Sequence, residues 1–291
     1  MKWAKVTVRT TGEAAEGVLE VMHTLAGGAV QSGDRSTAIV QAFVPASRAL
    51  TLMRRIRERL KALREAGIAT DGSRVAQRTI AHKDWERAWQ RDFRMQRIAP
   101  GLVVVPPWER YRTRPGEVAV IINPGLAFGT GQHPTTEMCL KTLKGFVRKG
   151  DIVADVGTGS GILAIAAVKM GARQAWAIDN DPVALAAARE NARRNRVEPG
   201  IVIRRGDLLR GVRRKFHMVV ANLTAEQLIE MAPDVPHRLR PGAIFISSGI
   251  AGGKAAAVRR ALLNAGLAPT TVERQGEWRT VICRMPESKR P

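Results

Sequence analysis

Trp3 to Arg9 alternates apolar and polar side chains, the period of two that marks a half-buried strand. Glu13 to Ala26 shifts to helical spacing, with Val18, Met22 and Leu25 on one face. Ala29 to Gln31 and Thr37 to Val44 read as strands. Ser47 to Ala66 reads as a long amphipathic helix. Its apolar face carries Met53, Ile56, Leu60 and Leu63, and its other face pairs Arg54 with Glu58 and Lys61 with Glu65 at i,i+4. Arg74 to Ile80 is a further strand. The order βαββαβ predicts a small ferredoxin-like α+β domain over residues 1–80. No cluster of reactive side chains falls within it, which points to recognition of a substrate rather than to chemistry.

Residues 81–100 read as a connector, helical over His82 to Phe93 with Trp85 and Trp89 at i,i+4. Beyond it, Leu102 to Val105 and Val118 to Ile122 are short strands. From Asp151 the pattern alternates strand and helix: Ile152 to Val156, Gly161 to Met170, Ala175 to Asp179, Pro182 to Arg194, Ile201 to Gly206 and His217 to Asn222. Thr224 to Leu239 is read as one helix, Ala243 to Ser248 as a strand and Lys254 to Ala265 as a helix. Ala268 to Arg274 and Thr280 to Met285 lie close enough in sequence for an antiparallel hairpin. Residues 101–291 are therefore expected to form an α/β domain. Its mostly parallel, Rossmann-like sheet would be closed by an antiparallel last strand.

The chemistry concentrates in Asp155-Val-Gly-Thr-Gly-Ser-Gly161, between a strand and a helix. Eighteen residues on, Asp179 ends the next strand. Glycines let the backbone approach a ligand, and an acid in that place can accept hydrogen bonds from a ribose diol. A dinucleotide site uses Gly-x-Gly-x-x-Gly and rests a pyrophosphate on the helix N-terminus. Here the glycines alternate, and Asp155 stands two residues before the first. A carboxylate beside a pyrophosphate repels it, whereas beside a cation it is favourable. The turn thus suits the sulfonium and ammonium of S-adenosylmethionine better than it suits NAD.

Bulk properties narrow the classes. No run of eighteen apolar residues occurs, and the N-terminus lacks a signal-peptide pattern, so a cytoplasmic protein without membrane contact is expected. Two cysteines, Cys139 and Cys283, are too few for a disulfide framework or a metal cluster, and no metal is expected. Cys283 and His217, in apolar strands, read as core. The net charge of +21 suggests an acidic partner such as RNA. The excess is spread, however, at +9 over residues 1–112 and +12 over the rest. Its densest cluster is Arg204, Arg205, Arg210, Arg213, Arg214 and Lys215, which reads equally as a solvated face or as a weak contact to rRNA. One tyrosine in the whole chain argues against a single-strand reader.

Several segments carry a resemblance. Phe128-Gly-Thr-Gly-Gln-His-Pro-Thr-Thr136 with Cys139-Leu140, Gly161-Ile-Leu-Ala-Ile-Ala-Ala167, Asp179-Asn-Asp-Pro182 and Ala221-Asn-Leu223 look like the ribosomal protein L-eleven methyltransferases. Trp85, Trp89, Phe93 and Val105-Pro-Pro-Trp108 resemble the connector of that family. The match runs from about Asp84 to Gly249, whereas the first 80 residues agree in layout alone. The resemblance implies the class I methyltransferase fold and an S-adenosylmethionine-dependent N-methyltransferase. Its substrate would be ribosomal protein L-eleven, methylated on lysines and on the N-terminal α-amine. By motif position the donor contacts fall on Thr136, Gly157, Asp179 and Asn222, with Gly159 and Phe128 in the same segments. Asp207, after the third strand of the main sheet, is a further candidate for the adenine amino group.

No general base is evident. His133 is the one imidazole near the glycine-rich segment Asn123 to Thr136, and it reads as a base or as a structural hydrogen-bonder. Asn222 is the candidate for positioning the amine. The rivals are methylation of lysines on another protein, methylation of a nucleic-acid amino group, and a silent module that binds the donor or RNA. Nucleic-acid amino-methyltransferases place Pro-Pro-aromatic after the Asn or Asp so that a flipped base can stack, but here Leu223-Thr224-Ala225 follows.

Overall fold

The computed structural model describes residues 3–26, 29–33, 36–80, 93–123, 131 and 133–287. The connector with Trp85 and Trp89, and Phe128 in the glycine-rich segment, lie outside the described residues. The chain divides into two compact units, Met1–Phe93 and Arg94–Pro291, a division that falls inside the stretch read as a connector.

In the first unit the elements run β1 (Trp3–Thr10), α1 (Gly12–Ala26), β2 (Ala29–Gly33), β3 (Ala38–Pro45), α2 (Ala46–Glu65) and β4 (Arg74–Ile80). The strands form one sheet in the order β2-β3-β1-β4 with every pairing antiparallel. Val6, Val8, Val40 and Val44 of the sheet and Val18 of α1 are buried. Ala49, Leu52, Met53, Ile56, Leu60 and Leu63 of α2 join them in one core. The paired charges on the outer face of α2 sit at 3.9 Å and are exposed, so they solvate the helix more than they hold it.

The second unit opens with a three-stranded sheet, β5 (Gln96–Ala99), β6 (Leu102–Val105) and β7 (Val118–Ile121), in that order. The strand β5 escaped the hydrophobic pattern. It is a four-residue arm of a tight hairpin, turned at Pro100-Gly101, where Gly101 has φ +72. Helix α3 (Pro134–Phe146) was also not foreseen, although its start carries two signals: His133 as N-cap and Pro134 at the first helical position.

The main sheet follows. Its strands and helices are β8 (Ile152–Val156), α4 (Ile162–Lys169), β9 (Gln174–Asp179), α5 (Pro182–Arg194), β10 (Ile201–Arg205), β11 (Phe216–Asn222), α6 (Ala225–Met231), α7 (Val235–Arg238), β12 (Leu239–Ala251), α8 (Ala255–Asn264), β13 (Ala268–Gln275) and β14 (Trp278–Arg284). The strand order is β10-β9-β8-β11-β12-β14-β13. The first five strands are parallel, and β14 runs antiparallel to both neighbours. This is the α/β sheet with an antiparallel last strand that the sequence predicts.

Period-two alternation loads both faces of the sheet. Val153, Met218, Val220, Ile244 and Ile246 join the core under α3, α4 and α5, while Ala154, Val156, Val219, Ala221 and Phe245 join the core under α6, α7 and α8. Cys139 and Cys283 are buried thiols in these two cores, and burial pushes both up to about 12. His217 is half-buried, and its Nδ1 accepts the Ile152 N–H at 2.9 Å. The single helix expected over 224–239 is broken. A 3-10 turn at Ala232–Asp234 separates α6 from α7, and Leu239 already belongs to β12. Pro233 and Pro236 account for the break, since each lacks an N–H and its ring crowds the carbonyl four residues back.

Candidate methyl-donor site

The turn after β8 is built for close backbone approach. Gly157, Gly159 and Gly161 have φ of +70, +54 and +83, the left-handed region that side chains disfavour. The N–H groups of Gly157 and Thr158 both donate to the Ile178 carbonyl, at 2.9 and 3.0 Å, which clamps the turn to β9. Gly161 is the N-cap of α4 but has no side chain to offer. Asp155 supplies the missing acceptor from inside the strand. Its Oδ2 accepts the Thr158 hydroxyl at 2.6 Å and the Ala164 N–H at 3.0 Å. The sequence placed this carboxylate against a cationic ligand. Instead it is 1% exposed and serves the turn and the helix, because strand parity points it inward.

Acceptors gather at the carboxyl ends of the strands, where ligands of such sheets bind. Asp179 ends β9. Its Oδ2 accepts the Gly159 N–H at 2.9 Å and its Oδ1 accepts the Asp181 N–H at 3.0 Å. Each oxygen keeps a second lone pair, the capacity a vicinal diol requires. Asn222 ends β11, and its Nδ2 donates to Oγ1 of the buried Thr136 on α3 at 3.2 Å. The Oδ1 of Asn222 is buried with no partner among the described residues. A buried amide oxygen without a donor costs free energy, so this atom marks a place where a ligand N–H fits. Thr136 accepts from Asn222 and so has its own hydroxyl proton to give.

The remaining sequence candidates sit differently. His133 caps α3: Thr135 N–H donates to its Nδ1 at 3.4 Å, Thr135 Oγ1 stands 2.7 Å from the same nitrogen, and its ring meets Trp278 edge-on at 4.8 Å. Asp207 lies on an exposed turn with its carboxylate paired to Arg210. A separate cleft of about 270 Å³, lined by residues including Pro106, Tyr111, Ile121 and Lys169, shares no residue with the glycine turn.

Sequence reasoning missed three supports. Leu223 packs against the missing side chain of Gly157, where a Cβ would fall 2.3 Å from its Cδ2. Its carbonyl likewise lies 2.2 Å from a Cβ built at Gly249. Ser248 Oγ donates to the Thr135 carbonyl at 3.2 Å and stands 2.7 Å from Thr280 Oγ1, tying α3 to β12 and β14. Asn191, 1% exposed on α5, donates from Nδ2 to the Ser160 carbonyl at 2.9 Å and accepts the Asn123 N–H at 3.0 Å. A buried asparagine on an alanine-rich helix face is the signal that reveals it.

Comparison with known proteins agrees with this geometry. Residues 2–286 match the family model described as Ribosomal protein L11 methyltransferase (PrmA). The ribosomal protein L11 methyltransferase of Alkaliphilus oremlandii is 35% identical over 310 aligned positions, covering 98% of this chain and 99% of its own length. That of Symbiobacterium thermophilum is 36% identical over 308, covering 98% and 100%. A crystal structure of ribosomal protein L11 methylase from Lactobacillus delbrueckii subsp. bulgaricus is 33% identical with a TM-score of 0.63, covering 67% of this chain and all of that one.

The buried Asp155 makes stability depend on pH. Burial raises its carboxyl from 3.8 to about 7, the charge of Asp179 adds to the rise, and the bonds from Thr158 and Ala164 oppose it. Between those two values the folded chain holds a proton that the unfolded chain has lost. The contribution is therefore full below pH 3.8 and falls as pH rises toward about 7. In Asp155→Asn this fall is absent. Thermal unfolding of both proteins from pH 4.5 to 7.5 should show the original chain losing stability relative to the variant as pH rises, and parallel profiles would exclude a titrating Asp155.

Proposed function

The chain belongs to the ribosomal protein L11 methyltransferase family, and from that premise we propose that it methylates amino groups of L11, on lysine side chains and on the N-terminal α-amine. The methyl donor is S-adenosylmethionine, which supplies an electrophilic methyl group on a sulfonium. The observation that carries the reading is the Oδ1 of Asn222, which has no partner among the described residues while Nδ2 of the same amide is held by Thr136.

The residues divide the work. Gly157 and Gly159 let the backbone lie against the donor, and Asp179 takes its ribose hydroxyls. Thr136 gives its hydroxyl proton to the amino-acid end. Asn222 offers Oδ1 to an N–H, and on the incoming amine this bond turns the nitrogen lone pair toward the methyl carbon. That amine must be neutral. A lysine of pKa about 10.4 is roughly a thousandfold disfavoured as free base near pH 7.4, about 4 kcal/mol, whereas an α-amine of pKa about 7.8 is only mildly disfavoured. Desolvation and repulsion from the sulfonium strip the proton. His133 is engaged as a helix cap, so water carries the proton away and positioning does the rest.

The residues after Asn222 favour a protein substrate over a nucleobase. Ala225 stands at the third position after the Asn, where nucleic-acid amino-methyltransferases hold a stacking ring, and it offers no ring. Leu223, next to Asn222, packs against Gly157 and Gly249 instead.

Incubation with labelled donor tests the proposal. Label is expected on isolated L11 and absent from DNA and RNA, and label on nucleic acid alone would overturn it. Asp179→Ala is expected to weaken donor binding about ten- to a hundredfold in calorimetry, the worth of charged hydrogen bonds at about 1.5–3 kcal/mol. Unchanged affinity would remove Asp179 from the site.

Recognition falls to the first unit. Protein interfaces of useful strength bury on the order of 800 Å² per partner, more surface than a crevice for a small donor provides. The first unit carries none of the donor residues and supplies that surface. A fragment of residues 94–291 is expected to fold and bind donor as the whole chain does, yet to lose most transfer to intact L11. Full activity of the fragment would refute the recognition role.

A further inference from the structure

The edge of the main sheet carries a feature the methylation chemistry does not use. Strand β10 is the outermost strand, and its register places Arg204 beside Ile178 and Arg205 beside Asp179. Arg205 therefore stands at the same end of the sheet as the donor site. The chain then turns back through Arg213, Arg214 and Lys215, all exposed, into β11. The guanidinium groups of Arg204 and Arg214 lie over the ring of Trp176, each 5.8 Å from its centroid, and Trp176 in turn packs edge-on against Phe216. Arg204 also donates to the Gly211 carbonyl at 3.0 Å, which pins the loop to the strand.

Within the cluster, carboxylates hold Arg210 alone, through Asp207 and Glu230. No ion pair holds Arg204, Arg205, Arg213, Arg214 or Lys215 among the described residues. Charges on an edge strand protect it against pairing with other chains. That accounts for Arg204 and Arg205 but not for three more cations on the following loop. Arginines laid on an aromatic face are pre-organised and weakly hydrated, the state that suits phosphate. The Trp176 ring is already covered by arginines, so no base can stack on it.

We propose that this strip, Arg204, Arg205, Arg213, Arg214 and Lys215 around Trp176, is a docking surface for the phosphate backbone of duplex RNA. The choice of RNA rests on the L11 reading, because the surroundings of a ribosomal protein are RNA. The strip reads charge and shape and not base identity. Arg205 marks its end nearest the donor site and the rest runs back along the sheet edge toward the amino ends of the strands, so RNA held there keeps the catalytic unit near a protein substrate bound to the same RNA.

The test is binding of a fluorescent 16-base-pair RNA duplex to the full chain across a salt series. In Arg205→Glu/Arg213→Glu/Arg214→Glu/Lys215→Glu affinity is expected to fall about tenfold or more, and the slope of log affinity against log salt to drop by roughly 3, near the loss of four phosphate contacts. A control with the same charge change elsewhere, Arg189→Glu/Arg240→Glu/Arg259→Glu/Arg260→Glu, is expected to change affinity less than about twofold. Those four side chains are exposed as well. Equal losses in both variants would reduce the effect to overall charge and overturn the strip. Tighter binding of polyglutamate than of RNA, lost in the strip variant, would reassign it to an acidic protein. Circular dichroism melts show that each variant is folded. The readout involves no methyl transfer, so its failure leaves the substrate assignment standing, and failure of that assignment leaves the strip measurable.

Discussion

One oxygen atom organises the donor site. Oδ2 of Asp155 takes both the Thr158 hydroxyl and the Ala164 N–H, and so joins the end of β8, the glycine turn and the first turn of α4. Three alternate glycines of left-handed φ would otherwise make this turn loose, since glycine loses the most backbone freedom on ordering. With Asp155 on the inside and the Ile178 carbonyl clamping two N–H groups, the turn is ordered before any ligand arrives. Pre-organisation of this kind lowers the cost of binding. It has its own cost, visible in a carboxyl pushed up to about 7 by burial.

The other wall depends on small residues meeting a large one. Leu223 fits because Gly157 and Gly249 have no side chains, and its N–H donates to the Ser248 carbonyl at 3.0 Å. This fixes the backbone immediately after Asn222, so the amide is aimed by packing on one side and by Thr136 on the other. Thr136 is itself set by α3, which His133 caps and Ser248 ties to the sheet. Donor and acceptor groups of the crevice thus come from three elements, none of which can move alone.

What was legible in the sequence follows from how local each feature is. The short apolar runs of β8, β11 and β12 are properties of neighbouring residues, and they marked these segments as strands. The glycine turn and Asp179 were legible because backbone geometry demands those residue types at that spacing. The contact between Thr136 and Asn222 spans 86 positions, and only family motifs placed the two in one site. Asp155 was read in the right segment but facing the wrong way, since composition shows charge and only strand parity shows direction. The helix expected over 224–239 failed because apolar periodicity outweighed two prolines in the reading, whereas sterics outweigh periodicity in the chain.

Charge is distributed as the chemistry requires. A chain of net +21 would repel both a sulfonium and the lysines of a substrate if its cations surrounded the crevice. The residues at the crevice are instead Asp179, Asn222 and Thr136, which are acidic or neutral. Charges beyond about 8 Å are largely screened at physiological salt, so these neighbours set the local potential. Arg205, one register position across from Asp179, begins the basic strip and marks the boundary. A cationic donor and an amine can therefore enter one side of the sheet end while the adjoining edge presents positive charge to a polyanion. The two surfaces coexist because a sheet edge turns its loops away from the crevice formed at the middle strands.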